Sequence, residues 1–299
     1  MVDISAIIYS LIGSLSLASR NVLARKGLIG VHPVTGVFIA LLVAVPVTAL
    51  FAVANGDFLR PYNLDPLSLL YLALAGILHF LVARSFTYSS IKIMGPSRVS
   101  PIIEGNIIIS SALAVILLGE EMTPTLGIGT ILVVLGVVAI SRSETKKNFG
   151  ISKQQVFRGV SRALLASAIW GVTPLIIKLG VVRVESAIIA TLISVFFGLV
   201  ASLPLLALVK GRAMIAGIDK RVLTILLVSG VFQSTAQIFR FLAFSVAPIV
   251  IVSPISNATS VFTLILSALF IPKLEKINRM VVLAVVLVII GVILVVSTS

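Results

Sequence analysis

Apolar runs of about 20 residues recur along the whole chain, and they constrain its fold more than any other feature. A helix of that length spans the hydrocarbon core of a bilayer, which is about 30 Å thick. Of the 299 residues, 59% are hydrophobic and only 11% are charged, whereas a soluble domain carries about 25% charged residues. The first run, from Ile4, lacks the basic leader of a signal peptide, so we expect it to be retained. The sequence therefore predicts an all-α membrane protein.

Hydropathy and helix-breaking residues delimit ten such runs. They predict ten transmembrane helices, called spans one to ten, at residues 4–23, 33–54, 66–88, 96–118, 124–141, 159–180, 186–209, 221–244, 249–271 and 279–297. The longest polar connection, SRSETKKNFGISKQQVFRG, separates spans five and six. We therefore predict a first five-helix repeat over residues 1–141, a linker over 142–158 and a second repeat over 159–299.

The two halves match each other at a constant offset of 153 residues. The matching pairs are Ser100 with Ser253, Pro101 with Pro254, Glu104 with Asn257, and Arg84 with Gln237. This ordered series indicates a duplication. Because each repeat has an odd number of spans, the second must enter the membrane from the opposite side, so we predict two inverted five-helix repeats. Secondary transporters are usually built in this way, with the substrate site at the repeat interface, although channels also contain inverted repeats.

The basic residues predict the orientation of the chain in a cell membrane. Of the 23 Lys and Arg residues, 19 lie in or beside the connections that follow the odd-numbered spans, all on one side. Since basic residues gather in cytoplasmic loops, we predict a cytoplasmic linker and both termini outside. The same rule accounts for the net charge of +13. The chain carries no nucleic-acid-binding motif, so we expect no nucleic-acid partner.

Glu104 falls in the middle of span four, where an ionisable group costs about 2.5–3.5 kcal/mol on insertion scales. Other polar side chains share helical faces in the same way. The predicted site comprises Ser100 and Glu104 in span four, Ser253 and Asn257 in span nine, Gln233, Gln237 and Arg240 in span eight, and Arg20 in span one. Such faces are satisfied by converging on one another or on water, so we predict a central polar cavity.

Glu104 has two interpretations. A lone intramembrane carboxylate suits a proton-coupled carrier, because burial disfavours its charged form. A fixed salt bridge to Arg84, Arg20 or Arg98 would make it structural instead. The serines can also serve close helix packing, and the amides can simply bond between helices.

Arg84, Trp170 and His79 are three further candidates, and each of them, like Arg240, has a structural alternative. Arg84 and Arg240 could bind a carboxylate or phosphate, or their side chains could extend to the headgroups. Trp170 lies in the middle of span six rather than at an interface, and it could stack on a substrate or pack in the core. His79, in span three, could relay protons or be a hydrogen-bonded core residue.

Prolines and glycines predict local departures from straight, well-separated helices. Pro101, Pro254 and Pro174 remove helical hydrogen bonds in spans four, nine and six, so we expect bends or local unwinding there. Glycines in spans five and ten predict close helix packing, which could be between protomers; they are Gly127, Gly129, Gly136 and Gly291.

Two further charged residues, Glu120 and Lys178, lie at span ends. Glu120 precedes span five, where we expect the dipole of that helix to favour a structural carboxylate. Lys178, at the end of span six, could attract an anion to the cavity, or its side chain could extend to the headgroups.

Three segments carry a resemblance to a known family. They are AIWGVTPLIIKLG (168–180), SPISNATSVFTLILSALFIPKLEKIN (253–278) and SPIIEGNIIISSALAVILLGEEMT (100–123). Over essentially the whole chain, the pattern resembles the drug/metabolite transporter superfamily in its ten-helix EamA-type form. The resemblance implies a central cavity lined by spans one, three, four, six, eight and nine, alternating access, and transport of small metabolites such as amino acids. The first repeat departs from the family pattern, since SLSLASRNVLARKG stands where a Trp-Gly is expected.

These observations predict a secondary active transporter that exports small metabolites, with amino acids as the leading class. The polar residues suit a zwitterion or an anion. The alternatives are a facilitative carrier or channel for another solute, such as a nucleotide sugar or drug, and, less favoured, an intramembrane enzyme or a scaffold. No span contains paired aspartates and the chain has no cysteine, so we expect no enzymatic activity.

The sequence also bounds the partners and the energy source. Without a P-loop, an ion gradient or the substrate's own gradient must drive transport. We expect no cofactor. The expected partners are a small-molecule substrate, the lipid bilayer and, in the coupled version, protons, with the chain a monomer or a homodimer.

Overall fold

The computed structural model describes residues 4–27, 31–60, 62, 64–94, 99, 102–143, 152–208, 218–270 and 279–297. All regular structure within these residues is helical, which confirms the all-α prediction. The α-helices are α1 (Ile4–Gly27), α2 (Pro33–Ala54), α3 (Pro66–Ala75), α4 (Ala83–Met94), α5 (Asn106–Leu118), α6 (Pro124–Ser143), α7 (Lys153–Val184), α8 (Ala187–Leu208), α9 (Lys220–Val246), α10 (Ile249–Ser256), α11 (Thr259–Phe270) and α12 (Arg279–Ser297). Span three consists of α3, a π-helical segment and α4, and span nine consists of α10 and α11.

The described helices suit a membrane. Seven of them are long and apolar enough to cross a bilayer. Three shorter apolar helices, Asn106–Leu118, Pro124–Ala139 and Val282–Ser297, fall within predicted spans four, five and ten. The chain is thus a multi-pass membrane protein, while the count of ten spans stays a prediction.

Capping residues set several helix starts. His32 and Asp65 each accept a backbone hydrogen bond from the first turn of their helix, and each is followed by proline, the residue favoured at the first helical position. Ser152 and Gln155 form a capping box that starts α7 at Lys153. The last six residues of the predicted linker are therefore already helical.

The packing between the two halves is symmetric. Helix α1 packs against α9 and against α10 and α11, so the first span contacts the eighth and ninth. Helix α7 packs against α3, α4 and α5, so the sixth span contacts the third and fourth. Helix α2 pairs with α8, and α6 pairs with α12. Each contact is reproduced when the halves are exchanged, as a two-repeat architecture requires.

Spans four and nine break at equivalent positions. A turn at Asn257–Ala258 separates α10 from α11, three residues after Pro254, and a turn at Glu104–Gly105 precedes α5. The same two tightened backbone bonds recur in both turns: Gly105 and Ala258 donate to Ile102 and Ile255, and Ile107 and Ser260 donate to Glu104 and Asn257. The break predicted from Pro254 is confirmed, whereas Pro101 lies outside the described residues.

The proline in span six does not interrupt its helix. Of the bend or local unwinding predicted at Pro174, the unwinding is not found, because helix α7 continues through this residue. Neighbouring helices and side chains can satisfy the backbone groups that an intramembrane proline frees. Span three is irregular instead, because Gly76–Val82 is π-helical, and π-bulges are frequent at functional sites. Gly76 lets this wide turn lie against α8, since a Cβ there would collide with the Ser194 carbonyl.

Glycines bring α6 and α12 into backbone contact. A Cβ at Gly129 would lie 2.8 Å from the Gly291 carbonyl oxygen, and a Cβ at Gly291 would lie 2.6 Å from the Gly129 oxygen. A Cβ at Gly136 would likewise lie 2.7 Å from the Ala284 oxygen. The close packing predicted for spans five and ten is therefore found within one chain, although nothing lies within 4 Å of a Cβ at Gly127.

Gly291→Ala should destabilise the protein in detergent by about 1–3 kcal/mol, because the added methyl forces the two backbones apart. Gly127→Ala is the matched control, since its methyl meets open space and alanine favours a helix by about 1 kcal/mol over glycine. Thermal or denaturant unfolding of the purified variants measures the difference. Equal stability of the two variants would contradict the backbone contact.

Candidate functional site

Charged side chains from four spans meet between the two repeats. Arg20 comes from α1, Arg84 from α4 and Arg240 from α9, and these three residues are called the arginine cluster. Arg84 interacts electrostatically with both Arg20 and Arg240. Glu104, in the turn before α5, attracts Arg240. The structure thus brings together four predicted site residues, of which three are basic and one is acidic.

Arg84 is the most buried member of the arginine cluster, with 6% of its surface exposed. Its guanidinium lies 6.0 Å from the centre of the Phe80 ring, and that of Arg20 lies 5.4 Å from the Tyr88 ring. Aromatic faces attract cations without neutralising them. The ion pairs within 4.0 Å between described residues join Arg60 to Asp57, Lys178 to Glu120, and Arg183 to Asp65. In the described part of the chain, no carboxylate therefore touches the arginine cluster.

Glu104 is partly exposed at the break in span four. Its backbone carbonyl accepts the N–H of Ile107 at 3.2 Å. Its carboxylate makes no ion pair within 4.0 Å with any described residue, so the fixed bridge to Arg84 or Arg20 is not formed. Arg98, the third partner considered, lies outside the described residues. Glu104 is therefore attracted by Arg240 without being locked to it.

Two glutamines of α9 lie beside the arginine cluster with unsatisfied amides. Gln233 and Gln237 are only 3% and 2% exposed. Both polar side-chain atoms of Gln233, and Oε1 of Gln237, lack a hydrogen-bond partner among the described residues. A buried polar group left unpaired costs about 1–3 kcal/mol. These amides are therefore placed to bind a ligand or water.

The two glutamines, Arg84, Phe80 and Ser234 share a cavity of about 10 Å³ with residues of α2 and α8. That volume is near the minimum for one water molecule, so Arg84 is enclosed in this conformation and a solute reaches it only if helices separate. The lining includes spans two and seven, which the family resemblance did not imply.

His79 is held by side chains of α7. Its Nδ1 lies 2.9 Å from Thr173 Oγ1, and the Trp170 indole N–H donates to the His79 carbonyl at 3.2 Å. Gln237 lies beside the imidazole ring. With only 2% of its surface exposed, His79 is well placed to orient Gln237 and to tie the π-helical segment to the second repeat.

The polar residues at the span-nine break mainly support the break itself. Asn257 donates its side-chain N–H to the Ser253 carbonyl at 2.8 Å. Beside the span-four break, Asn106 donates its side-chain N–H to the Ile103 carbonyl at 2.7 Å. Ser253 is buried, and Ser100 lies outside the described residues. Asn257 is partly exposed.

A charged contact outside the arginine cluster joins the two repeats, and the sequence did not reveal it. Glu120 accepts the N–H groups of Ile249 and Val250 at 2.9 and 3.0 Å. Lys178 lies 3.1 Å from the same carboxylate and donates to the Ala247 carbonyl at 2.8 Å. This set of contacts is called the Glu120 clamp. Glu120 therefore caps α10 in the other repeat rather than the α6 helix that follows it, and α6 is capped instead by the Thr123 hydroxyl.

Comparisons with known proteins support the two-repeat architecture and identify the family of the chain. The model of the EamA-like transporter family matches residues 4–142 and, separately, residues 157–297. An uncharacterized transporter of Clostridium kluyveri is 27% identical over 214 residues, which are 72% of this chain and 67% of that protein. A solved crystal structure superposes with a TM-score of 0.76 over 97% of this chain and 96% of that one, at 16% identity, which shows a shared fold alone. The chain belongs to the EamA-like transporter family and is a multi-pass membrane transporter.

Proposed function

We propose that the protein is a secondary active transporter that exports small metabolites, amino acids first among them, by alternating access at the repeat interface. The observation that carries the proposal is the meeting of Arg20, Arg84 and Glu104 from the first repeat with Arg240 and the two α9 glutamines from the second. Ionisable side chains are costly to bury within a membrane, so those that occur there mark a transport pathway by default. Glu104 and Arg240 are partly exposed, and facing water rather than lipid would satisfy their charges.

Alternating access requires that one side of the interface can close and reopen. The Glu120 clamp supports this, because it joins the end of span four to span six and to the start of span nine. The loop charges predict that this is the outer side. The enclosed position of Arg84 fits a conformation in which the pathway is shut at the clamp.

Glu104 is the proposed proton site. It is the one acidic residue that the described structure places inside a span rather than at a helix end or in a connection. Lacking a fixed ion pair, it can gain and lose a proton without breaking the helix packing. A carboxylate that exchanges a proton at each turnover would couple transport to the proton gradient.

Glu104→Gln should abolish the stimulation of transport by a pH gradient while leaving substrate exchange at equal pH. The glutamine is of similar size but cannot titrate. Flux of a labelled amino-acid panel in proteoliposomes, with and without an imposed pH gradient, measures both. Glu121→Gln, at an exposed position, is the matched control and should behave as the wild type. Unchanged gradient stimulation in Glu104→Gln would demote Glu104 to a packing residue and favour facilitated diffusion.

Glu120→Gln should open the clamped side. Hydrogen bonds to charged groups contribute about 1.5–3 kcal/mol, so losing the charge should raise the open population about tenfold or more. Because the chain has no cysteine, a single cysteine at Val250, 1% exposed beneath the clamp, reports opening by its rate of labelling with a membrane-impermeant maleimide. A cysteine at the exposed Ser245 should react at the same rate with and without Glu120→Gln. Equal labelling at Val250 in both backgrounds would show that the clamp does not gate.

A further inference from the structure

We infer that the transported solute is a small anion, held through a carboxylate or phosphate group by Arg84 and its neighbours; this rests on the proposed function. The starting observation is the charge balance at the site. Three arginines face one carboxylate, Glu104, which leaves a positive excess inside the membrane even when Glu104 is ionised. A charge at the bilayer centre is costly unless it is paired. A net-neutral solute would leave that excess in place.

The other acidic residues in the described part of the chain do not neutralise the arginine cluster. Asp57 and Asp65 pair with Arg60 and Arg183 at helix ends, and Glu120 pairs with Lys178 in the clamp. The remaining described acids are in connections or at helix ends: Glu121, Glu185 and Asp219. Among the described residues, no carboxylate other than Glu104 can therefore offset the charge of the arginine cluster, and a bound anion would supply the rest.

The donor set around Arg84 suits an oxyanion. A guanidinium presents parallel N–H groups that match the two oxygens of a carboxylate or phosphate. The side-chain amide of Gln233 adds unpaired N–H donors in the same cavity. Arg84, Gln233 and Gln237 are all more than nine-tenths buried, so they are desolvated before the solute arrives. The Phe80 ring lies under the guanidinium, 6.0 Å from its central carbon, and does not compete for its N–H donors.

A net anion also fits the exporting direction. The interior of a cell is electrically negative, so an anion that crosses without a compensating cation is driven outward by the membrane potential. Arg20 and Arg240, both partly exposed, would attract the anion toward the more buried Arg84. The arginine cluster is then a selectivity device for charge as well as a binding site.

The test compares solutes that differ in charge but hardly in shape. Proteoliposomes are assayed for uptake of labelled glutamate against glutamine, aspartate against asparagine, and inorganic phosphate, each with its own unlabelled solute inside. We expect at least one anion to be carried about tenfold faster than its neutral amide or, if phosphate is the recognised group, phosphate to be carried faster than all four amino acids. Comparison of the amino-acid assays with the phosphate assay shows whether the site recognises a carboxylate or a phosphate group.

Arg84→Gln should reduce anion flux about tenfold or more, and Arg84→Lys should restore part of it, since lysine keeps the charge but loses the paired donors. Arg60→Gln, at an exposed arginine far from the arginine cluster, is the matched control. Should Arg84→Gln fail to fold, the wild-type protein provides a second readout. Its melting temperature in detergent should rise with the transported anion and not with the matching amide at equal ionic strength.

The outcomes separate the two proposals. Glutamine and asparagine carried as fast as the acids, with phosphate inert, would overturn the anionic solute and leave the transporter intact. Anion flux unaffected by Arg84→Gln would overturn the role of Arg84. No saturable flux of any solute, together with no thermal shift, would overturn the proposed function and the anionic solute with it.

Discussion

The hydrocarbon interior of a bilayer cannot solvate a polar group, and the rest of the structure depends on that constraint. Every charge within a span must find a partner, a ring face or water. Arg84 is stacked over Phe80 and enclosed with two glutamine amides, while Glu104 and Arg240 attract one another without direct contact. Each of these polar groups is costly to bury alone, and together they still leave charges and hydrogen-bonding atoms unpaired. This incompleteness is what makes them suited to a passing solute.

Duplication supplies the geometry. Breaks 153 residues apart place Glu104 and Asn257 at equivalent turns, yet the two repeats do different things there. In the second repeat the Asn257 amide donates to the Ser253 carbonyl and stabilises the break, whereas Glu104, at the equivalent position of the first repeat, makes no ion pair with a described residue. Arg84 and Gln237 also occupy matching positions in the two repeats and also differ in chemistry. The first repeat contributes a cation and the second an amide to the same site.

Much of this could be predicted from the sequence, because the signals are local. Span limits follow from hydropathy and from starts such as Asp65-Pro66, and the break in span nine follows from Pro254. What could not be predicted depends on distant contacts. Pro174 stays helical within a packed environment, the π-helical segment requires Gly76 to meet α8, and Glu120 caps a helix more than 100 residues away. Convergence of the site residues was predicted from helical faces, whereas their lack of direct pairing needed three-dimensional coordinates.

Substrate-induced current on a solid-supported membrane tests the central claim most directly. If the arginine cluster carries a net anion across the repeat interface, a glutamate concentration jump on wild-type proteoliposomes produces a transient current of the sign expected for inward negative charge. Should phosphate be the recognised group, a phosphate jump produces that current instead. A glutamine jump produces none, and the current is lost in Arg84→Gln. A current of equal size and sign for glutamine, or an anion current that survives in Arg84→Gln, would contradict the account.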